Sequence, residues 1–446
     1  MPVTNTTIIE INQTEIASDN NGGGFDPTLG TVDYTYGPNA QAINVTNIQI
    51  NGSNNTQIYS SSRPFVANDV GNTIYIRGGT GFTVDRYVIT SVSSGWAKLN
   101  AACGTAGSTG GYGTLGGPLA SPGALHPIVT AQDYVAAFIA EGTYTISTLN
   151  TGSGGVINNT TKANSSLTAY KGTRGTPGMA VLDARNATGS TVYVIGGMNC
   201  TGIEIWCSQA TAINGFYQCT CCNCVVKYAG SDRYGFNQCY CLDCLADSCR
   251  IGFGNTGSLA YNCVAMNCSY GGFRLYFMFA THCIALNCSY GFYHLNARGA
   301  ASNCVAYGIT NDGFSGRSLS PTPTAVLKNC VAVNCGGYGF TGNNLLLMHC
   351  AGYNNVSGNY NPTIETYSRV VNFKSLTTNP FQNVQNWNIS DISTTDFRLN
   401  AIGPQGGFDL RGTGLGSQFI PYNEPDIGPL IYPRRQARPQ FHLFGT

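Results

Sequence analysis

The chain has 446 residues, a formal net charge of +1 and only 10% charged residues, against roughly 25% in an average soluble domain. So balanced a charge gives no electrostatic grip on nucleic acid or an acidic membrane surface, and no run of eighteen apolar residues is present to span a bilayer. Gly (57) and Tyr (26) are abundant and 42% of the residues are apolar, which excludes a disordered chain and fits a β-rich fold solvated by hydroxyls and amides.

The start, Met1 to Ile11, has neither a basic segment nor a long apolar one, so export through a standard signal peptide is not expected. An extracellular place would then be reached by assembly in a cell's cytoplasm and release with a particle. Residues 1–60 alternate apolar and polar (Ile8, Ile9, Ile11, then Ile43, Val45, Ile48, Ile50) around a Gly-Asn-Asp patch at 18–26. They read as an N-terminal assembly arm whose open strand edge seeks a neighbouring subunit, or equally as a frayed terminus. Residues 61–120 carry short alternating strands separated by glycines and predict a small β-domain. Within it Gly78, Gly79 and Gly81 are spaced like a phosphate loop, but no helix with Lys-Ser/Thr follows, so a turn is the better reading.

Residues 128–370 predict a solenoid. Aligned on a first cysteine, copies begin at Cys224, Cys244, Cys263, Cys283, Cys304, Cys330 and Cys350, at intervals of 20, 19, 20, 21, 26 and 20 residues. A second cysteine follows five residues on at Cys249, Cys268, Cys288 and Cys335, and a Gly-Phe pair closes six of the seven copies. The period is too short for paired helices and lacks a leucine-rich frame. Its short runs of Val, Ile, Tyr and Phe predict a right-handed parallel β-helix, all-β, with coils ~4.8 Å apart. Residues 371–446, where the repeat fades and a basic tail (Arg434, Arg435, Arg438) follows, are expected to form an irregular C-terminal cap over one end of the solenoid.

Eighteen of the nineteen cysteines fall between 200 and 350. Cys219, Cys221 and Cys224 recur twenty residues later as Cys239, Cys241 and Cys244, so each pair stacks on successive coils. Buried thiols in a ladder are the first reading, disulfides a second, and a soft-metal site a distant third. Asn223, Asn262, Asn303 and Asn329 precede the first cysteine and Asn267, Asn287 and Asn334 follow it by four. Stacked amides and tolerance of left-handed backbone account for both sets, and His282 and His349 share the first slot. A glycosidase would need paired carboxylates ~5–9.5 Å apart. The acids of 200–350 are Glu204, Asp232, Asp243, Asp247 and Asp312, and no two share a slot on neighbouring coils. Arg233 and Arg250 stack just before the Gly-Phe pair without an acid cluster for Ca²⁺. Thus no catalytic, cofactor or metal residue is assigned, although a site between subunits stays open. Tyr234, Tyr270, Tyr290 and Tyr338 could form an exposed stripe for stacking on sugars, or else cover the coil corner. Asn-x-Ser/Thr sequons (Asn44, Asn51, Asn186, Asn388) carry little weight without a secretory route.

The opening Glu141 to Ile146, the coils, and the ending (Asp396 to Asn400, Asp426 to Gly428) resemble the right-handed parallel β-helix repeat family, which includes pectate-lyase-like enzymes, phage tailspikes and virion fibre proteins. The likeness covers about 64–430. It implies the fold and leaves function open, since the family holds enzymes and inert rods alike. The expectation is a non-enzymatic structural virion protein: a fibre, spike or capsid-decorating subunit exposed on a particle, with other virion proteins and host surface glycans as partners. The resemblance also implies a homo-oligomer, with a homotrimer favoured. A polysaccharide-degrading tailspike or lyase, testable at Glu204 or Asp232, is the second expectation, and a cell-surface adhesin the third.

Overall fold

The computed structural model describes residues 7–14, 16–19, 43–131, 134–147, 156–159, 165–187, 193–208, 213–230, 233–295, 299–316, 325–342, 345–361, 369–377, 379–383 and 396–399. They fall into two compact units, one of residues 1–146, 156–182 and 197–203, the other of 147–155, 183–196 and 204–446. Among the described residues no helix is long and apolar enough to cross a membrane.

In the first unit, six antiparallel strands (Ile43–Asn51, Asn54–Ser60, Thr73–Gly78, Asp85–Ser93, Trp96–Leu99 and Gly111–Leu115) close into a barrel. Their alternation buries Val45, Ile48, Ile58, Ile74, Ile76, Ile89 and Leu115 in one core. Strand crowding requires glycine at Gly113, where a Cβ would lie 2.3 Å from the Tyr75 carbonyl oxygen. Gly79 and Gly81, at φ 132° and 83°, sit in a turn, where Phe82 N–H donates to the Gly79 carbonyl at 3.1 Å. Asp69, fully buried, takes two bonds from Arg63 (2.7 and 2.8 Å) and one from the Val66 N–H.

The described parts of the segment expected to be an assembly arm form strands that pair within the chain. Residues 43–60 supply the first two barrel strands, and Thr7–Ile11 pairs in parallel with Val135–Ala140, burying Ile9 and Ile11 completely. The alternating pattern was a true strand signal; Thr7–Ile11 is the terminal strand of its sheet, with an isolated bridge from Ile11 to Leu119 on its other side. Glu10, buried on that strand, accepts a hydrogen bond from the Tyr170 hydroxyl.

The second unit is a right-handed parallel β-helix of three sheets. Within this unit the first sheet runs from Thr220–Cys222 to Arg369–Val371, the second from Tyr193–Gly196 to Gly358–Tyr360, and the third from Ile203–Trp206, which carries Glu204, to Lys374–Ser375. One coil reads Asn214–Tyr217 (second sheet), Thr220–Cys222 (first) and Val225–Lys227 (third), with a left-handed residue at each corner: Gln218, Asn223 and Tyr228, at φ 53°, 50° and 64°. Asn recurs there because its short amide tolerates this conformation. Asn262, Asn303 and Asn329 (φ 53–54°) turn the same corner as Asn223, and Asp243, His282 and His349 take that slot in the other coils.

The residue after the corner of Asn223 is a buried cysteine in every coil from Cys224 to Cys350, and buried cysteines also follow the other corners in several coils, among them Cys219, Cys239, Cys249, Cys268, Cys288 and Cys335. A thiol suits that place because it is small, apolar and a weak donor. Cys283 Sγ reaches the Thr281 carbonyl just before its own corner (3.3 Å) and the Ala260 carbonyl one coil back (3.4 Å), and Cys263, Cys288 and Cys304 repeat the pattern. Beside these thiols runs a stack of seven buried phenylalanines. From Phe216 through Phe236, Phe253, Phe273, Phe292 and Phe314 to Phe340, successive rings lie 5.2, 4.7, 4.9, 4.7, 4.7 and 4.8 Å apart and within 10° of parallel. Coil spacing imposes this face-to-face geometry, since each ring copies the rotamer below it.

Candidate functional site

Each short strand of the third sheet turns its middle residue inward and its two flanks outward, and this alternation decides which chemistry reaches solvent. Glu204 accepts from Trp206 Nε1 and pairs with Lys227 at 2.7 Å. Asp243 holds a corner and accepts from Asn262 Nδ2. Asp247, nearly buried, accepts from Ser248 Oγ (3.0 Å) and Asn267 Nδ2 (3.1 Å). Asp312 accepts the Tyr338 N–H at 2.9 Å. Each of these carboxylates therefore fastens one coil to another or to its own strand. Asp232 and Asn388 lie outside the described residues.

None of the nineteen cysteines forms a disulfide; eighteen are buried and Cys222 is half-buried. In-register side chains run parallel up the ladder, which disfavours the bridge. Burial pushes the Cys249 and Cys335 thiols up to about 12, and those of Cys103 and Cys222 to about 11. Among the described residues no three His, Cys, Asp or Glu side chains are grouped to hold a metal ion. His282 is buried with its ring edge-on to Tyr261 at 5.4 Å, and His349 contacts Asn372 at 3.5 Å, so both are corner-ladder members.

The tyrosines expected near the Gly-Phe pair divide. Tyr234 is buried and lies against Gly254 of the next coil, with its hydroxyl bonded to Arg274 Nη1. Tyr270 is exposed and packs edge-on to Tyr290 (5.8 Å) and Tyr293 (5.3 Å), while the Arg250 guanidinium sits 5.5 Å above its ring. Arg250 and Tyr270 help to line an open polar cleft of about 570 Å³ with Ser248, Asn267 and Ser269. Tyr338 is half-buried further along the sheet. The four thus do not form one exposed stripe.

A longer exposed feature lies on the first sheet. Tyr240, Leu259, Phe279, Ala300, Val326 and Leu346 are in register on one outward row, with Cys222, Leu242, Tyr261, Thr281, Ser302, Lys328, Met348 and Val371 on the other. Tyr240 is 55% and Phe279 53% exposed, and Leu259, Tyr261, Val326 and Val371 are exposed too. Sequence reasoning passed over these rows; the only signal was the single position on either side of Cys241, Ala260 and Ala280. The third sheet also has apolar outward positions (Leu245, Met266, Ile284, Leu286, Val331, Val333), but these are buried, in one cluster that Leu376 and Phe381 join. The Asn379 side chain hydrogen-bonds the Tyr307 hydroxyl, three strands back from Lys374–Ser375. Of the segment expected to form a cap, Lys374–Ser375 continues the third sheet as its last strand, and Leu376 and Phe381 join the buried cluster of that sheet's outward positions.

No family model and no curated protein matches the chain. Among solved structures it is similar to a rhamnogalacturonan lyase (14% identity, TM-score 0.45, covering 60% of this chain and 87% of that one). It is also similar to a pectate lyase (14%, 0.45, 70% and 91%) and to the A-module of a mannuronan C-5 epimerase of Azotobacter vinelandii (12%, 0.34, 54% and 79%). At this identity the likeness is one of fold alone.

Proposed function

We propose that this chain is a structural β-helix protein, a fibre, spike or particle-decorating subunit that works through a stiff rod and its surfaces and not through an active centre. The observation that carries the reading is where its reactive side chains go. Asp243 and Asp247 are bonded into the ladders, Asp312 holds the backbone of the next coil, Glu204 is paired with Lys227, and the thiols face inward against carbonyls. A seven-ring phenylalanine stack through the same coils supplies stiffness. The particle we have in view is a virion, with the chain assembled in the cytoplasm and displayed on the particle surface beside other virion proteins. Contact with surface glycans is a secondary role, for which the Arg250–Tyr270 cleft has fitting chemistry: an aromatic face beside a cation and amide and hydroxyl groups.

Two measurements test this. Immunogold labelling of source material with antibody to this chain should decorate particles at regular positions. Purified protein incubated with pectic, alginate and glucan polysaccharides should produce no new reducing ends and no unsaturated uronates. Cleavage that Glu204→Gln abolishes would replace the structural reading with a lyase or hydrolase.

A further inference from the structure

Among the described residues, the outward rows of the first sheet stay exposed and form a largely apolar face. The third sheet's apolar outward positions, by contrast, are buried in a cluster that includes Leu376 and Phe381. On the first sheet Tyr240, Leu259, Tyr261, Phe279 and Val326 stay exposed in consecutive or near-consecutive coils. Monomeric proteins rarely expose contiguous apolar patches beyond roughly 300–600 Å². Eight strands at ~4.8 Å spacing make a strip ~34 Å long. With side-chain relief, on the order of 700 Å² becomes available per copy, close to the ~800 Å² per partner of a standard stable interface.

We infer that this face binds a second copy of the same chain, sheet against sheet, about a two-fold axis that lies in the interface plane perpendicular to the long direction of the strip. Three observations select that occupant. Along the eight strands from Thr220 to Val371 the register of the two rows contains no acidic residue and two cations, Lys328 and Arg369, both toward one end, so no strongly charged partner is called for and an inverted copy keeps its cations away from those of the first. Side chains repeat at coil spacing along the strip, so an inverted copy presents the same ridges to the same grooves. The exposed aromatics, Tyr240, Tyr261 and Phe279, occupy three consecutive strands, the arrangement of a central anchor cluster. Sheets packed in this way would sit ~10 Å apart with interdigitating side chains. The inference goes beyond the structural reading and does not depend on it, since a catalytic rod could pair through the same face.

The test is the mass of the intact chain in solution by sedimentation equilibrium, with Phe279→Lys and Tyr240→Lys on the face and Val356→Lys off it. Val356 is 82% exposed in a loop after the third sheet. Wild type and Val356→Lys should have the mass of two chains at micromolar concentration. The face variants should be monomers, or dissociate at least about tenfold more readily, as expected when a charge is buried at the centre of an apolar contact. Because Phe279 and Tyr240 point outward, circular dichroism and melting should match wild type. A variant that fails this check is replaced by Leu259→Lys. A monomeric wild type, a mass of three chains, or an oligomer unmoved by folded face variants would overturn the inference. So would a monomer that binds polysaccharide through Phe279.

Discussion

Asn329 shows how much a single corner residue carries. Its backbone is left-handed at φ 54°, its side chain is buried, and its Nδ2 donates to Asn303 Oδ1 one coil back at 3.1 Å. Asn329→Ala should lose that bond and force a Cβ residue without local compensation into the left-handed region, at a combined cost of about 2–3 kcal/mol. Asn329→Gly loses only the bond and should cost about half as much. Urea denaturation of the two variants checks the order, and a glycine variant less stable than the alanine one would show that backbone strain is not the issue. His282 occupies the same slot with a titratable ring. Burial holds it below its ordinary value of 6.5, so as pH falls the unfolded chain takes up the proton first. The stability it contributes is present above about 6.5 and is lost progressively as pH drops below that value. His282→Asn, which restores the residue found in four other coils, should keep the corner and reduce the fall in melting temperature between about pH 7.5 and about pH 5.5. An undiminished fall would place the pH sensitivity elsewhere.

At the scale of the coil, the internal ladders set both strength and reactivity. Phe273 has ring neighbours at 4.9 and 4.7 Å, whereas Phe216 has one described ring neighbour in the stack, at 5.2 Å. Phe273→Ala should therefore cost about 3–5 kcal/mol, with Phe216→Ala below it, because a solenoid sums nearest-neighbour contacts. Equal losses by chemical denaturation would contradict that picture. The thiols make a kinetic prediction. With eighteen of nineteen buried, native protein should react with an alkylating reagent at Cys222 alone, and denatured protein at all nineteen sites. Mass spectrometry counts the adducts, and extensive native labelling would mean that the coils open. The ladder was legible in the sequence because a left-handed corner followed by a tight inward slot admits few residues, and Asn-Cys recurs at those steps. The Arg250–Tyr270 pairing was legible in part, from shared slots on adjacent coils. The burial of Tyr234 was not, since it depends on Gly254, a glycine of the next coil, leaving room for the ring. The exposed rows of the first sheet escaped notice because a three-residue strand is too short for a period of two to stand out.

For the β-helical unit as a whole, the difference between its outer faces is the main consequence of the sequence. Beyond Asp247 the outward rows of the third sheet are largely apolar and buried, and Phe381, itself nearly buried, is one of two described side chains from the C-terminal segment in that cluster. The fading repeat and the need to close a solenoid's end pointed to a cap, whereas the burial of Leu376 and Phe381 beside the third sheet depends on which outward positions are apolar, and that follows from coil register. Phe381→Ser should remove most of the segment's apolar anchor, at about 3–5 kcal/mol of local docking energy. The parallel coils beneath keep their own hydrogen bonds and Phe stack. Far-UV circular dichroism should consequently stay near wild type, while binding of a hydrophobic dye rises and proteolysis concentrates after Leu376. The newly bared face should also make the variant associate, in a way that Phe279→Lys on the first sheet does not reverse. Loss of the β-sheet signal together with the dye response would instead mean that the segment and the coils fold as one cooperative block, and that the third face is part of the core and not a surface with a cover.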